Sequence, residues 1–105
     1  MDTINIAEDF AKDTGARDYS DGPKSGREFF DTLLRSKFKD AIDNGTQLQV
    51  ILDGTSGFAS SFLNESFRLL AKEFGSDTVW NNLILVSNEV PKYISKIKDA
   101  IYEKK

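Results

Sequence analysis

The chain lacks both cysteine and histidine. Without cysteine it has no disulfide framework, no thiolate nucleophile and no thiolate metal site. Without histidine it has neither the commonest metal ligand nor the commonest general base near neutral pH. A hydrolase or transferase would then need clustered carboxylates or an activated Ser–Lys pair, and no spacing in the sequence supports either. We therefore expect a protein that is not an enzyme and that holds no metal or cofactor.

Long hydrophobic runs and excess basic charge are also missing. No apolar run approaches the roughly 18 to 20 residues that cross a membrane, and the start, MDTINIAEDF, lacks the features of a signal peptide. We expect a cytoplasmic location and no membrane partner. Fourteen basic and 17 acidic residues give a net charge of −3, which argues against nucleic acid as a partner. A set of C-terminal lysines is interpreted as a solvated helix face: Lys92, Lys96, Lys98, Lys104 and Lys105.

A length of 105 residues suits one domain with one core. Hydrophobic residues make up 39% of the chain, including eight Phe and one Trp, which is enough to build that core. No internal repeat, low-complexity segment or linker divides the sequence. We therefore expect residues 1–105 to form a single domain.

Four segments are predicted to be strands, and three amphipathic segments are predicted to be helices. The strands are residues 3–7, 16–19, 47–53 and 83–86, of which the third is expected to be central and buried on both faces. The helices are residues 27–43, 59–74 and 90–101; SDT at residues 76–78 is read as a turn. The order β-β-α-β-α-β-α predicts an α/β fold with a mixed sheet of about four strands and three helices.

The loop GPKSGRE, residues 22–28, is a candidate anion site. Gly and Ser at a helix start aim backbone N–H groups outward, and Lys24, Ser25 and Arg27 add donors and charge. The spacing is not that of a Walker A loop. An ordinary helix start is the alternative interpretation.

A second group of polar residues follows the predicted central strand. Asp53 ends that strand, and Thr55 and Ser56 follow it; ligands of open α/β sheets gather at the carboxyl ends of strands. The structural alternative is that Asp53 caps the turn GTSG by accepting from its backbone N–H groups. Glu65 and Glu73, in the next helix, are assigned to solvent.

Ser60 and Ser61 stand side by side where the second predicted helix begins. Serine is favoured as a helix N-cap, where it contributes roughly 1 kcal/mol. A first-turn serine is also a favourable place for a phosphate, because the new charge meets the positive end of the helix dipole. Both interpretations fit the sequence, and Thr55 and Ser56 offer alternative caps.

The stretch VILDGTSGFASSFLNESFRLL, residues 50–70, resembles the core of STAS domains, the fold of bacterial anti-sigma factor antagonists. It is more closely similar to the STAS-like domain of unknown function DUF4325, in which a strand, an Asp, a Gly-containing loop and the sequence SSF open a helix. Upstream, the resemblance continues through matching residues, which are Gly15, Arg17, Gly22, Ser25, Gly26 and Phe29.

In the antagonists the motif is Asp-Ser-Ser-Gly, and its first Ser is phosphorylated by a GHKL-type kinase. The resemblance implies this role for Ser60 and leaves Ser61 as a capping or packing residue. Ala59 stands in place of the Asp and Phe62 in place of the Gly. The Phe either alters kinase docking or enlarges the core.

The resemblance thus implies a non-enzymatic regulatory protein-binding module of bacterial signalling. Its partner would be a GHKL-type kinase or another signalling protein, and Ser60 or Ser61 would gate the contact. The alternative is a small-ligand or nucleotide-binding domain that uses the two Gly/Ser loops.

Overall fold

Three short parallel strands form the sheet in a computed structural model that describes residues 2–103. They are β1 (Asp2–Asn5), β2 (Leu48–Ile51) and β3 (Leu83–Val86), in that spatial order. Both pairings are parallel, so each connection crosses from one end of the sheet to the other and carries helix. Of the C-terminal lysines, Lys104 and Lys105 lie outside the described residues, as does Met1 at the other end of the predicted domain.

Helical segments fill the connections between the strands. A short helix α1 (Ile6–Asp9) follows β1, and a 3-10 turn (Tyr19–Asp21) lies farther along. The first long helical run consists of α2 (Gly26–Phe29), a π-helical turn (Phe30–Leu34) and α3 (Arg35–Asp43). The remaining helices are α4 (Ser60–Phe74), α5 (Ser76–Asn81) and α6 (Lys92–Ile101).

The predicted second strand is wrong. In residues 16–19 the backbone pairs with the start of α2, where Gly26 and Arg27 donate N–H groups to the carbonyls of Ala16 and Arg17. The described sheet therefore has three strands instead of about four, and it is wholly parallel instead of mixed. Because these carbonyls already accept hydrogen bonds from the first N–H groups of α2, the segment does not need a neighbouring strand as a hydrogen-bond partner.

The helices are also more numerous than the three predicted. β1 stops at Asn5 because the Asn5 side chain caps α1, accepting from the N–H of Glu8 at 3.2 Å. The segment read as a turn, SDT, opens α5 instead. The predicted first, second and last long helices are confirmed within a few residues, as is the strand over Leu83–Val86.

The central position of β2 is confirmed, although its two faces are not equally covered. Leu48 and Val50 are 0% exposed and face the main core. Gln49 and Ile51, which point the other way, are half-buried.

Among residues 2–103, no helix combines the length and the apolar character needed to cross a membrane.

An aromatic cluster joins α2 to the start of α4. Phe29 and Phe62 stack with ring centroids 5.6 Å apart, and Phe10 meets Phe29 edge-on at 5.3 Å. Phe58, in the loop before α4, lies 5.4 Å from Phe62. Phe29 and Phe62 are both 0% exposed, and full burial of each side chain contributes about 1.5 to 3 kcal/mol.

Gly26 allows the two helices to approach this closely. A Cβ atom placed there would lie 2.4 Å from the carbonyl oxygen of Phe62, which is backbone and has little freedom to retreat. The absence of a side chain at one residue therefore sets the distance between the start of α2 and the first turn of α4.

The substitution Gly26→Ala tests this contact through the sign of its effect. Helix propensity alone would stabilise the protein by up to about 1 kcal/mol. Overpacking against the Phe62 carbonyl is expected to destabilise it by about 1 to 3 kcal/mol. Urea unfolding followed by circular dichroism measures the change, and a variant as stable as the parent would contradict the close approach.

Candidate functional site

The first turn of α4 carries no side-chain cap from the described residues. Its N-cap is Ala59, in extended conformation, and Ser60 is the first helical residue. The capping interpretation of Ser60 and Ser61 is therefore wrong. Ser60 is exposed, and its hydroxyl oxygen accepts a hydrogen bond from Lys96 Nζ of α6 at 3.3 Å. Ser61 is half-buried.

The loop before α4 is held by the N-terminal part of the chain. We call residues 11–24 the strap. The strap carbonyl of Lys12 accepts from both the N–H and the hydroxyl of Ser56, and Thr14 donates its hydroxyl to the carbonyl of Gly57 at 3.1 Å. Thr55 donates its hydroxyl to the Leu52 carbonyl at 3.5 Å, so neither alternative cap reaches α4. The strap thus lies beside the segment that leads to the two serines.

Glu65 of α4 is buried, and the assignment of this residue to solvent is wrong. Its side chain is 8% exposed, and its Oε1 accepts from Arg68 at 2.6 Å and from Arg17 of the strap at 3.1 Å. Arg17 also donates to Asn64 Oδ1 at 2.8 Å. Glu73, by contrast, is exposed and pairs with Arg35 at the surface.

The sequence contained only half of the information about this ion pair. Glu65 and Arg68 stand three residues apart on one helix, a spacing at which side chains meet. Arg17 is 48 positions away from Glu65 in the sequence. Its role depends on the path of the strap, which no local pattern reveals.

The two arginines control the ionisation of Glu65. Burial by itself raises the pKa of this carboxyl group, but hydrogen bonds from Arg68 and Arg17 and their positive charges outweigh it, so that the pKa is lowered. A carboxylate whose pKa is lowered in the folded state stabilises the protein above its unfolded-state pKa. That contribution is lost as the pH falls through the folded-state value.

We expect Glu65→Gln to reduce the free energy of unfolding by about 1 to 3 kcal/mol at neutral pH, because two guanidinium groups lose a charged acceptor. The loss should shrink as the pH falls through the lowered folded-state pKa of Glu65, because the parent carboxylate is then protonated too. Urea unfolding at several pH values measures it. The same change at the exposed Glu73 serves as the control; equal effects at the two positions would contradict the buried ion pair.

Asp53 connects the loops that follow β2 and β3. Its two carboxylate oxygens accept from the N–H groups of Asn88, at 3.1 Å, and Glu89, at 2.9 Å. Glu89 returns the interaction, since its Oε1 accepts from the N–H of Gly54 at 2.7 Å. Asp53 therefore accepts hydrogen bonds from backbone N–H groups, as expected, but the loop predicted to donate them was wrong. It caps the loop after β3 instead of GTSG.

The substitution Asp53→Ala should release the loop after β3. We expect a loss of about 1 to 3 kcal/mol in the free energy of unfolding, since charged acceptors make the stronger hydrogen bonds. Amide hydrogen exchange should accelerate at Asn88 and Glu89. Asp43→Ala, which removes a surface partner of Lys39, is the matched control, and unchanged exchange at both amides would contradict the link between the loops.

A cavity of about 200 Å³ lies at this edge of the sheet. Three of the predicted binding residues line it, namely Asp53, Thr55 and Ser56, together with Glu89 and Tyr93. Two carboxylates in its wall make it a poor receptor for a phosphate. Within residues 2–103, no group of three or more acidic side chains is arranged to hold a metal ion.

The other predicted binding residues lie elsewhere, and each has a local partner. Ser25 is 0% exposed and caps α2, accepting from the N–H of Glu28. Lys24 lies 3.9 Å from Glu28 and also over the ring of Phe10, while Arg27 pairs with Asp31 at 3.1 Å. The loop is thus better interpreted as the ordinary start of a helix than as an anion site. Lys24, Ser25 and Arg27 are not among the residues that line the cavity beside Asp53.

The family model for the STAS-like domain of unknown function, DUF4325, matches residues 25–93. The chain belongs to this family. No curated protein and no solved structure is matched by the sequence. The match begins at Ser25 and includes the whole of α4. The strap precedes it, so the upstream resemblance at Gly15, Arg17 and Gly22 stays a prediction.

Within this STAS-like domain, the Phe in place of the motif Gly belongs to the core. Phe62 is 0% exposed and contacts Phe10, Phe29 and Phe58. It lies inside the fold, where it enlarges the hydrophobic core and offers no side chain to a partner. Ala59 is exposed, so the missing motif carboxylate leaves a small apolar surface next to Ser60.

Proposed function

We propose that this STAS-like domain is a non-enzymatic regulatory module that binds a protein partner through the start of α4 and the adjoining loop. Family membership supports the regulatory class. Ser60 or its neighbour Ser61 gates the contact, and a GHKL-type kinase of bacterial signalling is the partner that modifies it. The observation that carries the proposal is an exposed hydroxyl at the first position of an uncapped, 15-residue helix.

The modification is a phosphoryl transfer from ATP. The Ser60 oxygen forms a bond to the terminal phosphorus, the bond between the β and γ phosphates breaks, ADP leaves, and the hydroxyl proton passes to solvent or to a base on the kinase. The kinase supplies the catalytic groups, which agrees with a chain that has no histidine or cysteine.

The start of α4 suits a phosphate for two physical reasons. Ala59 contributes no side-chain cap. The N–H of Phe62 donates to the Ala59 carbonyl at 3.0 Å, so the N–H groups of Ser60 and Ser61 are the ones that can meet an incoming acceptor. Lys96 Nζ already lies 3.3 Å from the Ser60 hydroxyl, and it would form a charge-assisted bond with the phosphate.

The phosphate gates binding through charge. The phosphate adds a charge of about −1.5 to −2 at neutral pH to the first turn of α4, next to the small, apolar side chain of Ala59. A partner that packs against this turn would have to desolvate the charge or supply a cation for it. Phosphorylation therefore separates partners into those that bind only the unmodified surface and those that require the phosphate.

The test combines the full chain with a GHKL-type kinase and ATP, and maps the phosphate by mass spectrometry. We expect phosphate in the peptide that contains Ser60 and Ser61, with labelling reduced at least about tenfold when both serines are changed to alanine, because the change removes the acceptor hydroxyls. Ser95→Ala, which removes an exposed serine of α6, is the control. Partner binding without any phosphate on Ser60 or Ser61 would leave a docking module and remove the switch.

A further inference from the structure

Arg17 crosses from the strap to one particular face of α4. Its Nη1 atom donates to Asn64 at 2.8 Å and to Glu65 at 3.1 Å. The residue that precedes Asn64 by three positions and Glu65 by four is Ser61. Side chains at these spacings are neighbours on a helix, with Cβ atoms about 5 to 6 Å apart. Arg17 therefore lies beside the turn that carries Ser61.

Ser60 is directed elsewhere, although it is the adjacent residue. Consecutive helical residues are separated by about 100° around the axis. Ser60 stands four positions before Asn64, but its hydroxyl contacts Lys96 on α6. Ser61 is spaced three and four positions before both residues that Arg17 contacts, Asn64 and Glu65. The two hydroxyls thus have different basic neighbours, one on α6 and one on the strap.

The guanidinium of Arg17 has room to change partners while its backbone stays in place. Its carbonyl accepts from the N–H of Arg27 at 3.0 Å, and the preceding carbonyl, of Ala16, accepts from Gly26 at 2.9 Å. Its side chain, in contrast, is 44% exposed. If it left Glu65, Arg68 would remain on the carboxylate at 2.6 Å.

The charges around Glu65 favour a second anion. Arg17 and Arg68 together carry two positive charges, and both donate to the single carboxylate of Glu65. A phosphate is a better bidentate partner for a guanidinium than a shared carboxylate oxygen is. Because one carboxylate balances only one of these two positive charges, the other can attract an anion placed one helical turn before Glu65.

We propose that Arg17 receives a phosphate placed on Ser61, and that the strap is thereby the element that responds to this modification. The inference rests on the proposed function in one respect, namely that the start of α4 is phosphorylated. Arg17 acts as a positioning residue: its guanidinium moves from Glu65 to the phosphate while its backbone stays paired to α2. The side chain then joins the strap to α4 one turn nearer the beginning of the helix. A phosphate on Ser60 would engage Lys96 and leave Arg17 on Glu65.

The experiment places phosphoserine at position 61 or at position 60 of the full chain during translation, so that no kinase is needed. Phosphorus NMR then measures the second pKa of each phosphate, which is ordinarily about 6. A nearby guanidinium lowers that pKa because it favours the dianion. Each phosphorylated chain is also made with Arg17→Gln and with Lys96→Gln, which serve as controls for one another.

We expect Arg17→Gln to raise the phosphate pKa by about 0.5 or more at position 61 and to have little effect at position 60. Lys96→Gln should show the opposite preference. An unchanged pKa at position 61 in Arg17→Gln would overturn the proposal, and so would an equal rise at both positions. If Arg17→Gln does not fold, the Nε–H resonance of Arg17 in the phosphorylated parent decides: it must shift as the phosphate titrates.

This result is independent of the kinase. Absence of labelling by the kinase would refute the proposed switch and leave the pairing of Arg17 with the installed phosphate intact. Labelling of Ser60 with no coupling between Arg17 and position 61 would refute the role of the strap and leave the proposed function standing.

Discussion

The contact between the backbone of α4 and the Cα atom of Gly26 is the constraint on which the surroundings of the site depend. Because Gly26 has no side chain, the start of α2 can rest against the Phe62 carbonyl. Phe29 and Phe62 then stack in the core. The same approach brings residues 16 and 17 of the strap, paired to residues 26 and 27, beside the first turns of α4. Arg17 can reach Glu65 only because these backbones are close.

A second constraint comes from the parallel sheet. Parallel strands place the ends of β2 and β3 at one edge of the sheet. The backbone N–H groups of the loops that follow must find hydrogen-bond acceptors there. Asp53 and Glu89 do this reciprocally, each accepting backbone N–H groups of the other's loop. Their carboxylates are engaged in structure at the place where a ligand would bind in many α/β proteins. The loop that leads to Ser60 therefore starts from a fixed point.

Much of the fold followed from local patterns. The helical spacing of apolar residues located α3, α4 and α6, and the apolar run of residues 83–86 located β3. The errors arose where short polar segments had competing partners. Residues 16–19 pair with a helix start instead of a strand, and the segment SDT begins a short helix. Local patterns carry no information on which partner a short segment finds.

The candidate site shows the same division between neighbours in sequence and neighbours in space. The position of Ser60 and Ser61 at a helix start, and the pairing of Glu65 with Arg68, are local properties of one helix, and the sequence by itself determined them. The contacts that distinguish the two serines are long-range. Lys96 is 36 positions from Ser60 and Arg17 is 47 positions from Asn64. Only the tertiary structure decided these contacts, because they depend on how the strap and α6 pack against α4, and packing joins residues that no sequence period connects.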